Sequence, residues 1–159
     1  MTGKTETMPE RETESHNHAG MNDMTDAGVC RAAGVTPRAL PSVAALAFLG
    51  DAVHTRFVRR QLVGQGISHA KDLNREALRF VTAPMQEKAY LAVREQLTEE
   101  EQDVFRRAFN LSHINRPKNV SGETYRTATG YEAVLGMLDY LGARERLEEL
   151  LTAGFDACR

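Results

Sequence analysis

The chain has 159 residues, 42% of them hydrophobic and 26% charged, with a formal net charge of −2. That length suits one compact domain, and that balance fills a core, which excludes a highly charged, low-complexity chain. No apolar run approaches the ~20 residues of a membrane span, and the polar start MTGKTETMPERETE resembles neither a secretory signal nor an Arg-rich transit peptide.

Residues 1–28 set Lys4 and Arg11 against six acidic residues. They are poor in large apolar side chains and show no helical period, so they read as a disordered acidic tail before a single domain at 29–159. Cys30 and Cys158 form no CxxC pattern, which fits reduced thiols in a cytoplasmic protein. Structure is expected to begin near Ala27–Leu40, punctuated by Pro37 and Pro41.

After Pro41 every segment reads as helix and no alternating run argues for a strand, so the fold class is all-α. Ser42 caps a helix running to about Val63, closed by Gly64 and Gly66. Ser68 opens HAKDLNREALRFV, where Leu73, Ala77 and Phe80 fall at helical spacing. Thr82, followed by Ala83 and Pro84, starts a helix to about Leu97, because proline is tolerated in a first turn. Thr98 and Glu101 form a capping box for a helix through about Phe109. Ser121 opens a helix that stops at Gly142, and ARERLEELLTAGF makes the last one. The interval Asn110–Asn119 is the long loop of the helical part, and long loops in compact domains are often functional. Around it, residues 104–126 carry Arg106, Arg107, Arg116, Lys118 and Arg126 against Glu123 alone. That excess suits either a polyanion site or a solvated basic loop.

The first helix holds a sharper problem. Leu46, Leu49, Val53 and Phe57 share one face, while Ala44, Ala47, Asp51 and Val58 lie nearly opposite. A helix apolar on both sides reads as the centre of its bundle, and there Gly50 and Asp51 are both costly. Gly50 is explained by close approach of a neighbouring helix. Asp51 needs an ion-pair partner, hydrogen-bond donors or a metal cation. Glu132, flanked by Val134, Leu135 and Leu138, stands in the most apolar part of its own helix, either paired with an arginine or exposed, or facing Asp51 across a cation. Mg²⁺ takes few protein carboxylates and suits phosphoester chemistry.

LAFLGDAV at 46–53 and YEAVLG at 131–136, joined by helices only, resemble the ribonuclease III catalytic domain. The nearer resemblance is to the Mini-ribonuclease III group, which has that domain without the usual double-stranded-RNA-binding domain. FVRRQLV, VTAPMQ, Asn110, PKN and TYRTATGYEA match as well, so the resemblance spans about residues 40–152, and with 27 residues after Glu132 the second domain is not expected. Ala44, Ala47 and Thr129 stand where ribonuclease III has further carboxylates, and His54, Thr55 and Phe109 depart from residues frequent in the group. The resemblance implies a ribonuclease III endonuclease-domain fold and a Mg²⁺-dependent endoribonuclease in which Asp51 and Glu132 hold the metal and carry catalysis. It implies a homodimer whose two-fold cleft receives double-stranded RNA, each subunit cutting one strand to leave 5′-phosphate and 3′-hydroxyl ends. The implied substrate is a 23S rRNA precursor stem in the cytoplasm, with a large-subunit ribosomal protein as a candidate aid. Arg107, Asn110, Arg116, Lys118 and Arg126 are the expected RNA contacts, supplying affinity and register while shape and 2′-hydroxyls are recognised. His113 is at most a phosphate contact, and His54 is a candidate supporting residue for Asp51.

Two other readings stay open on the sequence. One is a ribonuclease III fold without catalysis that serves as an RNA-binding or ribosome-associated module, motivated by the thinned carboxylates. The other is a helical dimerisation module without RNA, for which the overall charge of −2 is weak support.

Overall fold

Ser42 Oγ accepts a hydrogen bond from Ala45 N at 3.2 Å and starts α1 (Val43–Gly64) in a computed structural model that describes residues 40–112 and 118–159. Expectations that fall on the acidic tail, on Cys30, on His113 or on Arg116 lie outside the described residues. The second helix, α2 (Ala70–Leu78), starts later than Ser68 suggests, with His69 at its N-cap and no side-chain capping bond. The Thr82 carbonyl accepts from Met85 N and Gln86 N at 2.9 Å each to open α3 (Ala83–Val93), with Pro84 in the first turn. This helix ends before Leu97, because Arg94–Gln96 tighten into a 3₁₀ turn and Leu97 becomes extended, burying its side chain ahead of the next cap.

The fourth helix, α4 (Glu99–Phe109), has the expected capping box: Thr98 Oγ1 accepts from Glu101 N, and Glu101 Oε2 accepts from Thr98 N. Glu101 is also buried against α6 (Arg144–Cys158), where Arg146 donates to both carboxylate oxygens at 3.0 Å. Burial opposes ionisation of Glu101, but Arg146 and Thr98 outweigh it and hold its pKa below the usual carboxylate range. Cys158, half-buried at the end of α6, donates from Sγ to the Met85 carbonyl at 3.3 Å.

The centre of the bundle is α5 (Gly122–Tyr140), begun by Ser121 Oγ accepting from Thr124 N at 3.0 Å. Every residue from Thr127 to Leu138 is buried except Glu132, and α1, α3, α4 and α6 all pack on this helix. The structure therefore corrects the placing of α1 at the centre. Leu46 and Phe57 of the first face and Ala47 and Val58 of the second are buried, while Ala44, Asp51 and Ala52 are exposed and Phe48 is 84% exposed. The stretch of the second face at Ala44, Ala47 and Asp51 borders a cleft rather than another layer of core.

Where α1 crosses α5 the two backbones nearly touch. Gly50 lies against the Glu132 carbonyl and Gly136 against the Leu46 carbonyl, and a β-carbon at either position would overlap that oxygen. The backbone-entropy cost of Gly50 is offset by this approach, which no larger residue permits. No strand occurs among the described residues, and none of their helices is long and apolar enough to cross a membrane.

Candidate active site

Asp51 follows Gly50 on α1, so the crossing that seats Gly50 on the Glu132 backbone also carries two carboxylates to one place. Both line a cleft of about 700 Å³ bounded by α1, the start of α3 and the first half of α5. Their surroundings differ. Asp51 is exposed and has no ion-pair partner among the described residues, so the expectation of a buried Asp51 is corrected: water solvates its charge. Glu132 is half-buried, and burial raises its pKa to about 7; the hydrogen bond from Gln86 opposes that rise, and the charge of Asp51 adds to it.

Ala44, Ala47 and Thr129 line the same cleft. Ala44 and Ala47 leave space beside Asp51, and Thr129 Oγ1 donates to the Tyr125 carbonyl of its own helix at 2.9 Å. What remains is a roomy site with two carboxylates from separate helices. Among the described residues no group of three or more His, Cys, Asp or Glu gathers around one point. A hard cation that takes one or two carboxylates and keeps several waters, such as Mg²⁺, fits this donor set.

Behind Glu132 the packing is polar. Gln86 of α3, 2% exposed, donates from Nε2 to Glu132 Oε1 at 2.8 Å, and the same nitrogen lies 3.5 Å from Nδ1 of His54 on α1. His54 is 5% exposed and meets the Tyr131 ring edge-on at 6.0 Å between centroids. Burial lowers the His54 pKa to about 4, so the ring is neutral at ordinary pH. The sequence marks His54 as a candidate support for Asp51, but its polar contact runs through Gln86 toward Glu132. Gln86 closes the VTAPMQ stretch, yet a polar residue just inside a proline-started helix looks like surface.

Arg107 faces Asp103 at 3.8 Å, and Asn110 caps α4 by donating from Nδ2 to the Arg106 carbonyl at 2.8 Å. Lys118 and Arg126 are exposed without an ion-pair partner among the described residues. Neither lines the cleft, although Leu111, Ser112 and Val120, which flank the 113–117 segment, do. Arg126 lies roughly 120° around α5 from Glu132, at 3.6 residues per turn. Two cations were missed: Arg56 and Arg59 border a second concavity of about 390 Å³ that includes Asp51. Their spacing after Asp51 in DAVHTRFVRR was the available signal.

The ribonuclease III domain family matches residues 44–141 of the chain. Mini-ribonuclease 3 of Symbiobacterium thermophilum is 42% identical over 120 residues, covering 76% of this chain and 92% of that protein. Mini-ribonuclease 3 of Streptococcus pneumoniae is 38% identical over 110 residues, covering 68% and 86%. The crystal structure of protein FN1578 from Fusobacterium nucleatum has the same fold, with a TM-score of 0.66 at 27% identity over 72% of this chain and 92% of that one.

Proposed function

Because this chain belongs to the Mini-ribonuclease 3 family of ribonuclease III domains and is an endoribonuclease, we propose that it cuts double-stranded RNA at the cleft shared by Asp51 and Glu132, with Mg²⁺ held between them. The observation that carries the reading is this pairing of an exposed and a half-buried carboxylate on one cleft, beside open space for a phosphodiester. When bound, Mg²⁺ supplies an activated water and neutralises charge at the scissile phosphate. Half-buried Glu132 and solvent-exposed Asp51 would be the residues that hold the cation. The products carry 5′-phosphate and 3′-hydroxyl ends.

Lys118, Arg126 and the neighbouring Arg116 contact backbone phosphates, as does Arg107 once it leaves its long pair with Asp103. Asn110 contributes by shaping the start of that loop. Arg56 and Arg59 extend the phosphate track on the α1 side of Asp51. The functional unit is a homodimer. Phe48, exposed beside a largely apolar cleft wall, supplies what a self-complementary contact needs. The substrate is a stem of the 23S rRNA precursor in the cytoplasm, presented with a large-subunit ribosomal protein. Residues 29–159 form the catalytic domain.

Incubating the full chain with long double-stranded RNA in Mg²⁺ and in EDTA tests this reading. Cleavage in Mg²⁺ alone, with 5′-phosphate ends, is expected; intact RNA in both would overturn it.

A further inference from the structure

We propose that Gln86, backed by His54, is a positioning residue that fixes the Glu132 carboxylate for cation binding. The proposal rests on the reading of Glu132 as a cation ligand and adds to it a device that holds the ligand in place. A buried primary amide is costly unless its hydrogen-bonding capacity is used. Gln86 has two protein partners for its side-chain nitrogen, Glu132 Oε1 at 2.8 Å and His54 Nδ1 at 3.5 Å. That nitrogen carries two hydrogens, one for each partner.

With Glu132 ionised and the His54 lone pair on Nδ1, both neighbours of the amide nitrogen are acceptors, so turning the amide over would set its oxygen against them. His54 therefore holds the amide from α1, and the amide holds Glu132 of α5 from α3. Glu132 Oε1 is taken by this bond, while Oε2 receives no hydrogen bond from the described residues. One oxygen is anchored and the other is left for a cation. Among the described residues Asp51 has no such anchor, so preorganisation of the pair falls on Glu132. Partners that orient a metal ligand typically contribute about 10- to 100-fold in affinity or activity.

The decisive variant is Gln86→Met in the full chain, which keeps an unbranched side chain of similar length and removes the donor. Mn²⁺ binding to the RNA-free protein, followed by loss of the free-ion paramagnetic resonance signal, is compared with cleavage across a Mg²⁺ series. Asp51→Asn and Glu132→Gln serve as controls. Gln86→Met is expected to weaken Mn²⁺ binding about 10- to 100-fold, to raise the Mg²⁺ needed for half-maximal cleavage in parallel, and to leave the KM for RNA unchanged. Wild-type Mn²⁺ affinity in Gln86→Met, with both controls impaired, overturns the clamp and leaves the active-site reading intact. Wild-type affinity in both controls overturns the site reading and the clamp with it. If Gln86→Met does not fold, His54→Leu carries the test, since it frees the amide without touching the Glu132 bond: weaker Mn²⁺ binding supports the clamp, and unchanged binding overturns it.

Discussion

Gly50 rests on the backbone carbonyl of Glu132, with no room for a β-carbon between them. The contact joins the helix that carries Asp51 to the helix that carries Glu132, so one packing feature determines the spacing of the candidate active site.

Gly50→Ala should consequently damage both stability and activity. The opposing atom is backbone on a buried helix and cannot swing aside, so α1 must move off α5. A loss of at least about 3 kcal/mol is expected, at the upper end for overpacking. Gly64→Ala is the contrast, because nothing lies within 4 Å of a β-carbon there. It should be neutral or slightly stabilising, as alanine favours helix. Thermal unfolding of the two variants checks both outcomes.

Much of this arrangement was legible in the sequence. Ser42, Thr98 and Ser121 announce three helix starts with side chains whose oxygens do accept the capping bonds. Asp51 and Glu132 stand out because carboxylates on apolar helices need a reason. The centrality of α5 was not legible: α1 is apolar on two faces as well, and periodicity does not say whether the second face meets core or cleft. Gln86 was hidden for a related reason. Its partner on α5 is 46 residues away, and an amide at the start of a helix carries no local sign of burial.

Stability of the metal-free protein should depend on pH through Glu132. Its carboxyl has an ordinary pKa near 4.5 that burial raises to about 7 in the folded chain. Below about pH 4.5 it is protonated in both states. As pH rises toward 7 the unfolded chain ionises first, and the stabilisation associated with the bound proton is lost through the folded pKa. In EDTA, Tm of the wild type and of Glu132→Gln should therefore coincide near pH 4.5, with the variant becoming the more stable by pH 8. Mg²⁺ should narrow the gap at pH 8 by binding the ionised wild type. Parallel Tm curves across this range would show that the carboxyl is not desolvated.

The basic residues should govern affinity more than turnover. In an Asp51→Asn background, replacing Lys118, Arg116 or Arg59 by Ala should weaken binding to all RNA duplexes about equally. Each should flatten the plot of log affinity against log salt by about 0.9, taking the duplex DNA slope as a guide. Asn110→Ala should instead lower Tm, because the amide caps α4. An unchanged slope in all three cationic variants would assign them to solvated surface.

Removing residues 1–28 deletes six acidic and two basic residues from the chain. Tm is expected to stay within about 2 °C, as the deleted stretch is poor in large apolar side chains. Duplex binding at low salt should tighten modestly, since the deleted charge repels phosphate. A drop in Tm well beyond that range would mean that the tail packs on the domain.

The central claim is that Asp51 and Glu132 act as one metal-dependent site. Single-turnover cleavage of a defined RNA duplex at saturating Mg²⁺ tests it most directly, with wild type, Asp51→Asn, Glu132→Gln and the double variant compared, and duplex binding in EDTA as the control for fold. Each single change should cost at least ~10²-fold in rate, or ~2.7 kcal/mol, with binding retained. The double variant should be little worse than either one, because residues that act as a unit are not additive. Wild-type turnover in Asp51→Asn, or losses that multiply in the double variant, would contradict a shared site.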